Sequence, residues 1–242
     1  MDTHAAASRF PTTSWTRIRR SVASQEELGA LLAVYWGPVY AYIRRRGHDR
    51  EAASDLTQGF FTQVLLERDF LVSADRALGR FRSYLLTALR RYVIDEHRRE
   101  HGRSGQRPSV TIPTEQEVLV AAEPDESDDP VRAFDRQWAT TTLNLATDRV
   151  QAYCRRRGLD AHWAVYEARI LRPVCSGCEP VAVDELAREH GIRGAEVYSM
   201  LNTVKRKIRN TLESVIMETL EDPEDLGAEL AELRCVLSSP IV

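Results

Sequence analysis

Apolar residues in this chain fall at helical spacing over most of its length. In the stretch FRSYLLTALRRYVIDEHRR, residues 81–99, Phe81, Tyr84, Leu85, Ala88, Leu89, Tyr92 and Val93 recur every three or four positions. That period predicts a helix with one face in a core. Arg82, Arg90, Arg91, Arg98 and Arg99 lie mostly off the stripe, and the helix is expected to end near Gly102. Upstream, Ser24 and Glu27 form a capping-box pattern, and Leu28, Leu31, Leu32, Tyr35, Val39, Tyr42 and Ile43 carry the helical period to a stop at Gly47. Pro38 is expected to kink or divide that helix, because it has no N–H to give. Asp49 caps a second helix whose Leu56, Phe60, Phe61, Val64 and Leu65 face the first.

Residues 103–130 differ in kind: they are rich in proline and turn acidic at Glu123, Asp125, Glu126, Asp128 and Asp129, which reads as an extended flexible linker. Helical period resumes at residue 131, closes at Gly158, and returns in AHWAVYEARIL before a loop, RPVCSGCEP. Leu186, Ala187, Gly191, Ile192, Val197 and Leu201 then stand at the spacings of a helix-turn-helix, in which a glycine turn lets two short helices close on each other. The second of these continues on Val204, Ile208, Leu212 and Val215, and a last amphipathic helix starts at Asp222 and Pro223. No sustained strand-like alternation interrupts the pattern. The chain therefore reads as all-α: an N-terminal extension (1–23), a helical domain (24–102), the acidic linker (103–130), a domain containing the helix-turn-helix (131–218) and a C-terminal helical extension (219–242).

A net charge of −3 restricts any nucleic-acid surface to a local patch. The longest apolar run, Leu31–Ile43, is interrupted by Gly37 and Pro38 and is too short to span a bilayer, so no membrane insertion and a cytoplasmic location are expected. In such a compartment the four cysteines are thiols or metal ligands rather than a disulfide frame.

Two short motifs point elsewhere. His97, Glu100 and His101 spell the inverted zinc-protease motif, but Arg98 and Arg99 inside it oppose a dication. Cys175 and Cys178 form a single C-x-x-C half-site, a weak metal or redox candidate. Neither calls for a cofactor. The tryptophans Trp36, Trp138 and Trp163 sit on apolar stripes and read as core.

Two basic helical surfaces separated by an acidic linker suggest two DNA contacts at adjustable spacing. In the order DLTQGFFTQVLL, GRFRSYLLTALRRYVIDEHRR, acidic linker, VDELAREHGIRGAEVYSMLNTVKRKIR, the chain resembles the extracytoplasmic-function sigma factors of the sigma-70 family, over residues 25–102 and 132–218. The N-terminal TTSWTRI is similar to one branch of that group.

The resemblance implies a bacterial RNA polymerase subunit that binds the core enzyme, directs promoter-specific initiation and is not itself an enzyme. Asp55, Gln58 and Phe61 would dock on the β′ clamp, and the second domain would sit at the β flap. Arg90, Arg91, Tyr92, Asp95, Arg98 and Arg99 would meet the −10 element of promoter DNA. Arg193, Tyr198, Ser199, Asn202, Lys205, Arg206 and Arg209 would meet the −35 element. An anti-sigma factor is a further implied partner.

Two departures from the family pattern carry expectations of their own. Ala52, Ala53 and Ser54 stand where the family tends to carry acid, so phosphorylation of Thr57 or Ser54 by a Ser/Thr kinase is expected to restore the missing charge. Tyr198, Met200 and Thr203 stand where it tends to carry lysine or arginine. Two other readings remain beside the sigma factor: a polymerase-independent helix-turn-helix regulator, and a degenerate sigma-like protein acting through protein partners.

Overall fold

The computed structural model describes residues 25–66, 81–102, 129–220 and 223–238, and among these every regular element is helical. The N-terminal extension and all but the last two residues of the acidic linker lie outside the described residues, as does the Ser24 cap. The helices are α1 (Gln25–Arg45), α2 (Arg50–Leu66), α3 (Phe81–Gly102), α4 (Pro130–Arg156), α5 (Asp160–Tyr166), α6 (Arg172–Ser176), α7 (Val183–His190), α8 (Gly194–Met217) and α9 (Leu226–Ser238).

Helix ends follow the sequence signals closely. Asp49 accepts the Ala52 backbone N–H at 2.8 Å and so caps α2, while α1 and α4 stop just before Gly47 and Gly158. Helix α1 runs unbroken through Pro38, which was expected to kink or divide it. Residues 172–176, read as loop, are helical. They continue α5 through a wide π turn, Glu167–Leu171, in which the Arg172 N–H reaches back to the Glu167 carbonyl. Pro173 accounts for the wide turn: in a regular helix its ring would crowd the carbonyl four residues earlier, and an extra residue just ahead relieves that clash.

By internal contacts the chain forms two units. One holds the described residues up to Ala139 together with those from Met217 onward; the other is Thr140–Ile216. This differs from the chain-order division, since α9 groups with the N-terminal helices rather than extending the second half.

The reason lies in the first unit's core. Phe81, Leu85, Leu89 and Val93 of α3 are buried with Tyr35, Val39 and Ile43 of α1, Phe60 and Phe61 of α2, and Trp138 and Leu233. Tyr35 meets Phe81 edge to face at 5.1 Å, and its oxygen, buried and with its proton held more tightly than in water, bonds the side chains of Thr219 and Trp138. Arg82, placed off the apolar stripe by its register, is nonetheless buried, with a side chain 6% exposed. Its guanidinium lies over the Trp138 ring at 4.4 Å and meets three carboxylates: Asp135 of α4, Glu232 of α9 at 2.5 Å and Glu229 of α9 at 3.5 Å. Arg82 thereby ties α9 to α3 and α4.

Burial of this cluster shows in the titration of Asp135. Burial raises its pKa above the ordinary 3.8, Arg82 pulls it back down, and Glu232 pushes it up, with the net shift upward. A carboxyl raised in the folded state holds its proton longer there than in the unfolded chain. Its contribution to stability is therefore full below the ordinary carboxylate range and is lost as pH rises through the folded value. Asp135→Asn is expected to remove this part of the pH dependence, which paired urea titrations of wild type and variant across the acid range would measure. Parallel pH profiles for the two proteins would contradict it.

The second unit has its own core. Val150 and Cys154 of α4 pack with Trp163, Val165 and Tyr166 of α5, Leu186 of α7, and Val197, Leu201, Val204 and Ile208 of α8. No described helix is long and apolar enough to cross a membrane.

Candidate nucleic-acid interface

On α3 the core face leaves an outward stripe at three- and four-residue spacing: Ser83, Thr87, Arg90, Arg91, Ile94 and Arg98 are all exposed. Ile94, 43% exposed, is the one large apolar side chain in it. Arg98 lies 3.8 Å from Asp95, and both are well exposed, so the pairing is worth little in water. Arg99 is held at 2.6 Å by Glu96, a side chain that is mostly buried. Arg90, Arg91 and Arg98 thus share one face, with Asp95 at its edge.

Tyr92 is not on that face. It is half-buried, its ring meets Phe60 edge to face at 5.5 Å, and its hydroxyl lies against Gly59 of α2. A methyl at Gly59 would collide with the Tyr92 oxygen, whereas the ring carbon that bears it stands at 3.6 Å, an ordinary contact. Gly59→Ala is therefore expected to destabilise by about 1–3 kcal/mol through overpacking, despite alanine's better helix propensity. Adding Tyr92→Phe should recover a large part of that loss, and a double-mutant cycle by urea unfolding measures the coupling. Additive single effects would rule out the collision as the cause.

The residues expected to dock on polymerase divide in the same way. Asp55 is exposed and Gln58 half-buried, both on α2. Phe61 is fully buried, stacked on Trp36 at 5.6 Å and edge-on to Phe60 at 5.4 Å, so it is a core residue and not a docking one. Thr57 is also fully buried, and its hydroxyl donates to the Ala53 carbonyl at 2.7 Å. A kinase cannot reach a hydroxyl sealed in a helix packing face. The phosphorylation expectation at Thr57 is corrected on that ground; Ser54 is half-buried.

The α7–α8 pair is built by two local devices. At the end of α7 the Gly191 N–H bonds to the Arg188 carbonyl at 3.3 Å and the Ile192 N–H to the Ala187 carbonyl at 2.9 Å. This pattern needs a left-handed residue, and Gly191 supplies it with φ of 64°. At the start of α8, Glu196 accepts the Arg193 backbone N–H at 2.8 Å and also meets its guanidinium at 3.3 Å. Those bonds, the backbone one first, hold the Glu196 carboxyl below its usual range, so it keeps its charge as pH falls further than a free glutamate would.

With Val197, Leu201, Val204 and Ile208 inward, α8 turns Tyr198, Ser199, Asn202, Lys205, Arg206 and Arg209 outward on one side, all exposed. Tyr198 is 57% exposed, unusual for so large a ring. Arg193 is exposed at the near end, its charge partly offset by Glu196.

Three further cations of the second unit, Arg155, Arg156 and Arg157, were not singled out from the sequence. Arg155, Arg156 and Arg157 close α4 and are exposed, and Lys207 lies over the Tyr153 ring at 4.3 Å. The signal was present as three consecutive arginines before a helix-ending glycine.

For the metal candidates, Cys175 and Cys178 are exposed free thiols, and no group of three or more metal-ligating side chains occurs among the described residues. His97 is exposed, while the side chains of Glu100 and His101 lie outside the described residues. Comparison with family models, curated proteins and solved structures finds no match to this chain.

Proposed function

We propose that this chain is an alternative sigma factor, acting in the cytoplasm on core RNA polymerase and promoter DNA. The observation that carries the reading is the outward stripe of α3. Arg90, Arg91 and Arg98 stand exposed on a helix whose other face is locked in a core, so the guanidinium groups are held ready for phosphates and unstacked bases. It is supported by the resemblance of the α2–α3 sequence to the extracytoplasmic-function group and by the outward face of α8.

On this reading α3 engages and opens the −10 element, and α7 and α8 act as a helix-turn-helix on the −35 element. Arg193, Lys205, Arg206 and Arg209 hold phosphates, and Tyr198, Ser199 and Asn202 reach base edges. Asp55 and Gln58 contribute to the β′ clamp contact, without Phe61, and the second unit meets the β flap. The chemistry belongs to the polymerase, and an anti-sigma factor remains a fitting partner.

Run-off transcription with core polymerase over a promoter library tests the reading. Wild type should give discrete start sites, and the Arg90→Ala, Arg91→Ala, Arg98→Ala triple variant should lose promoter opening while still capturing core polymerase. Duplex binding by the chain alone, with no co-purifying polymerase, would instead establish an independent regulator.

A further inference from the structure

The second unit carries a small, positively lined notch on a different part of α8 from the side chains assigned to bases. It has a volume of about 130 Å³, a floor of Cys154, Leu159 and Val204, and polar walls that include Tyr153, Thr203, Asn210, Arg206 and Lys207. The space is well below the roughly 300–1,000 Å³ of a site for a whole small molecule, so it suits one chemical group rather than an entire ligand.

Charge identifies the group. Lys207 stands over the Tyr153 ring at 4.3 Å, and the Arg157 guanidinium lies 5.9 Å from the centre of the same ring. Arg206 and Lys207 both line the notch, and neither is ion-paired with a carboxylate among the described residues. Two cations beside hydroxyl and amide groups, with no carboxylate in the lining, favour an anion.

We propose that this notch seats a phosphate group, with Lys207 and Arg206 as its charged contacts and Tyr153, Thr203 and Asn210 as hydroxyl and amide partners. A phosphate offers several acceptor oxygens to match these donors, and Arg206 can meet two at once. Its source is either a backbone phosphate of nucleic acid, with neighbouring phosphates running over the arginines that end α4, or a free phosphorylated small molecule. Arg206 also belongs to the outward face of α8 read as holding DNA phosphates, so Lys207 is the residue that separates the notch from that reading.

The test uses the full chain in two arms, inorganic phosphate by calorimetry and a fluorescent duplex lacking promoter sequence by anisotropy over a salt series. Wild type, Lys207→Gln, Arg206→Gln and a charge-matched control remote in sequence, Arg132→Gln, are compared. In the phosphate arm, Lys207→Gln and Arg206→Gln should each weaken binding roughly tenfold while the control does not. In the duplex arm, each should lower the slope of log affinity against log salt by about one. A deficit confined to the phosphate arm assigns a free ligand, and a Lys207→Gln deficit confined to the duplex arm assigns the backbone; a duplex-arm deficit of Arg206→Gln alone reports the outward face of α8 and refutes the notch. If neither variant differs from the control in either arm, the site is refuted. Transcription plays no part in either measurement, so a failure here and a failure of the sigma reading are told apart.

Discussion

Replacing Arg82 with methionine is expected to destabilise the first unit by about 3–5 kcal/mol, the range for breaking a buried charge cluster by removing one partner. Methionine fills much of the same volume, so packing over Trp138 is largely kept. What is lost is the cation that meets Asp135, Glu229 and Glu232. Glu229 is 2% exposed, and with Arg82 gone either the carboxylates take up protons or the helices that carry them separate. Combining Arg82→Met with Glu229→Gln and Asp135→Asn should return a large share of the loss, since the carboxylate that remains, Glu232, is 38% exposed and can be solvated. Urea unfolding followed by circular dichroism measures both. A loss below about 1 kcal/mol for Arg82→Met would mean that water reaches the cluster and that α9 is held by its leucines alone.

Phe61→Ala is expected to cost about 3–5 kcal/mol as well, by a different route. The ring is fully buried between Trp36 and Phe60, and its removal opens a cavity that the rigid aromatic neighbours cannot fill by collapse. Any defect in capturing core polymerase should then track the unfolded fraction and recover on cooling or in a stabilising osmolyte. Asp55→Ala should behave oppositely, leaving unfolding within about 1 kcal/mol while reducing capture at every temperature. Capture lost by Phe61→Ala in a protein of unchanged urea midpoint would return the phenylalanine to the docking surface.

The contrast between Phe61 and Asp55 marks where the sequence is legible. A single apolar period gives the inward face of α3 correctly, from Phe81 to Val93, because that helix has one packed face and one open one. Helix stops are equally readable, since Gly47, Gly158 and Gly191 act through local backbone freedom alone. On α2, burial reaches past the apolar positions to Thr57, whose hydroxyl satisfies itself within the helix and so can be packed like a small apolar group. No one-helix pattern shows that.

The Arg82 cluster was hidden for a related reason: its partner Asp135 lies 53 residues away and the two glutamates farther still, so local spacing reports an arginine off the stripe and nothing more. The π turn had one clue, Pro173, which admits several remedies of which a widened turn is one. The outward faces of α3 and α8 were legible as basic helical surfaces. The arginines closing α4 were written plainly as a run, yet the meeting of Arg157 and Lys207 at the Tyr153 ring is tertiary.

The tie from Arg82 to α9 also sets an order for the chain's synthesis. Glu229 and Glu232 leave the ribosome after every residue of the second unit, so Arg82 can meet Asp135 first and is tied to α9 only later. A nascent chain can complete the second unit while Arg82 is still without its glutamates. Emergence of α9, rather than of α3, is then the moment at which the first unit becomes whole.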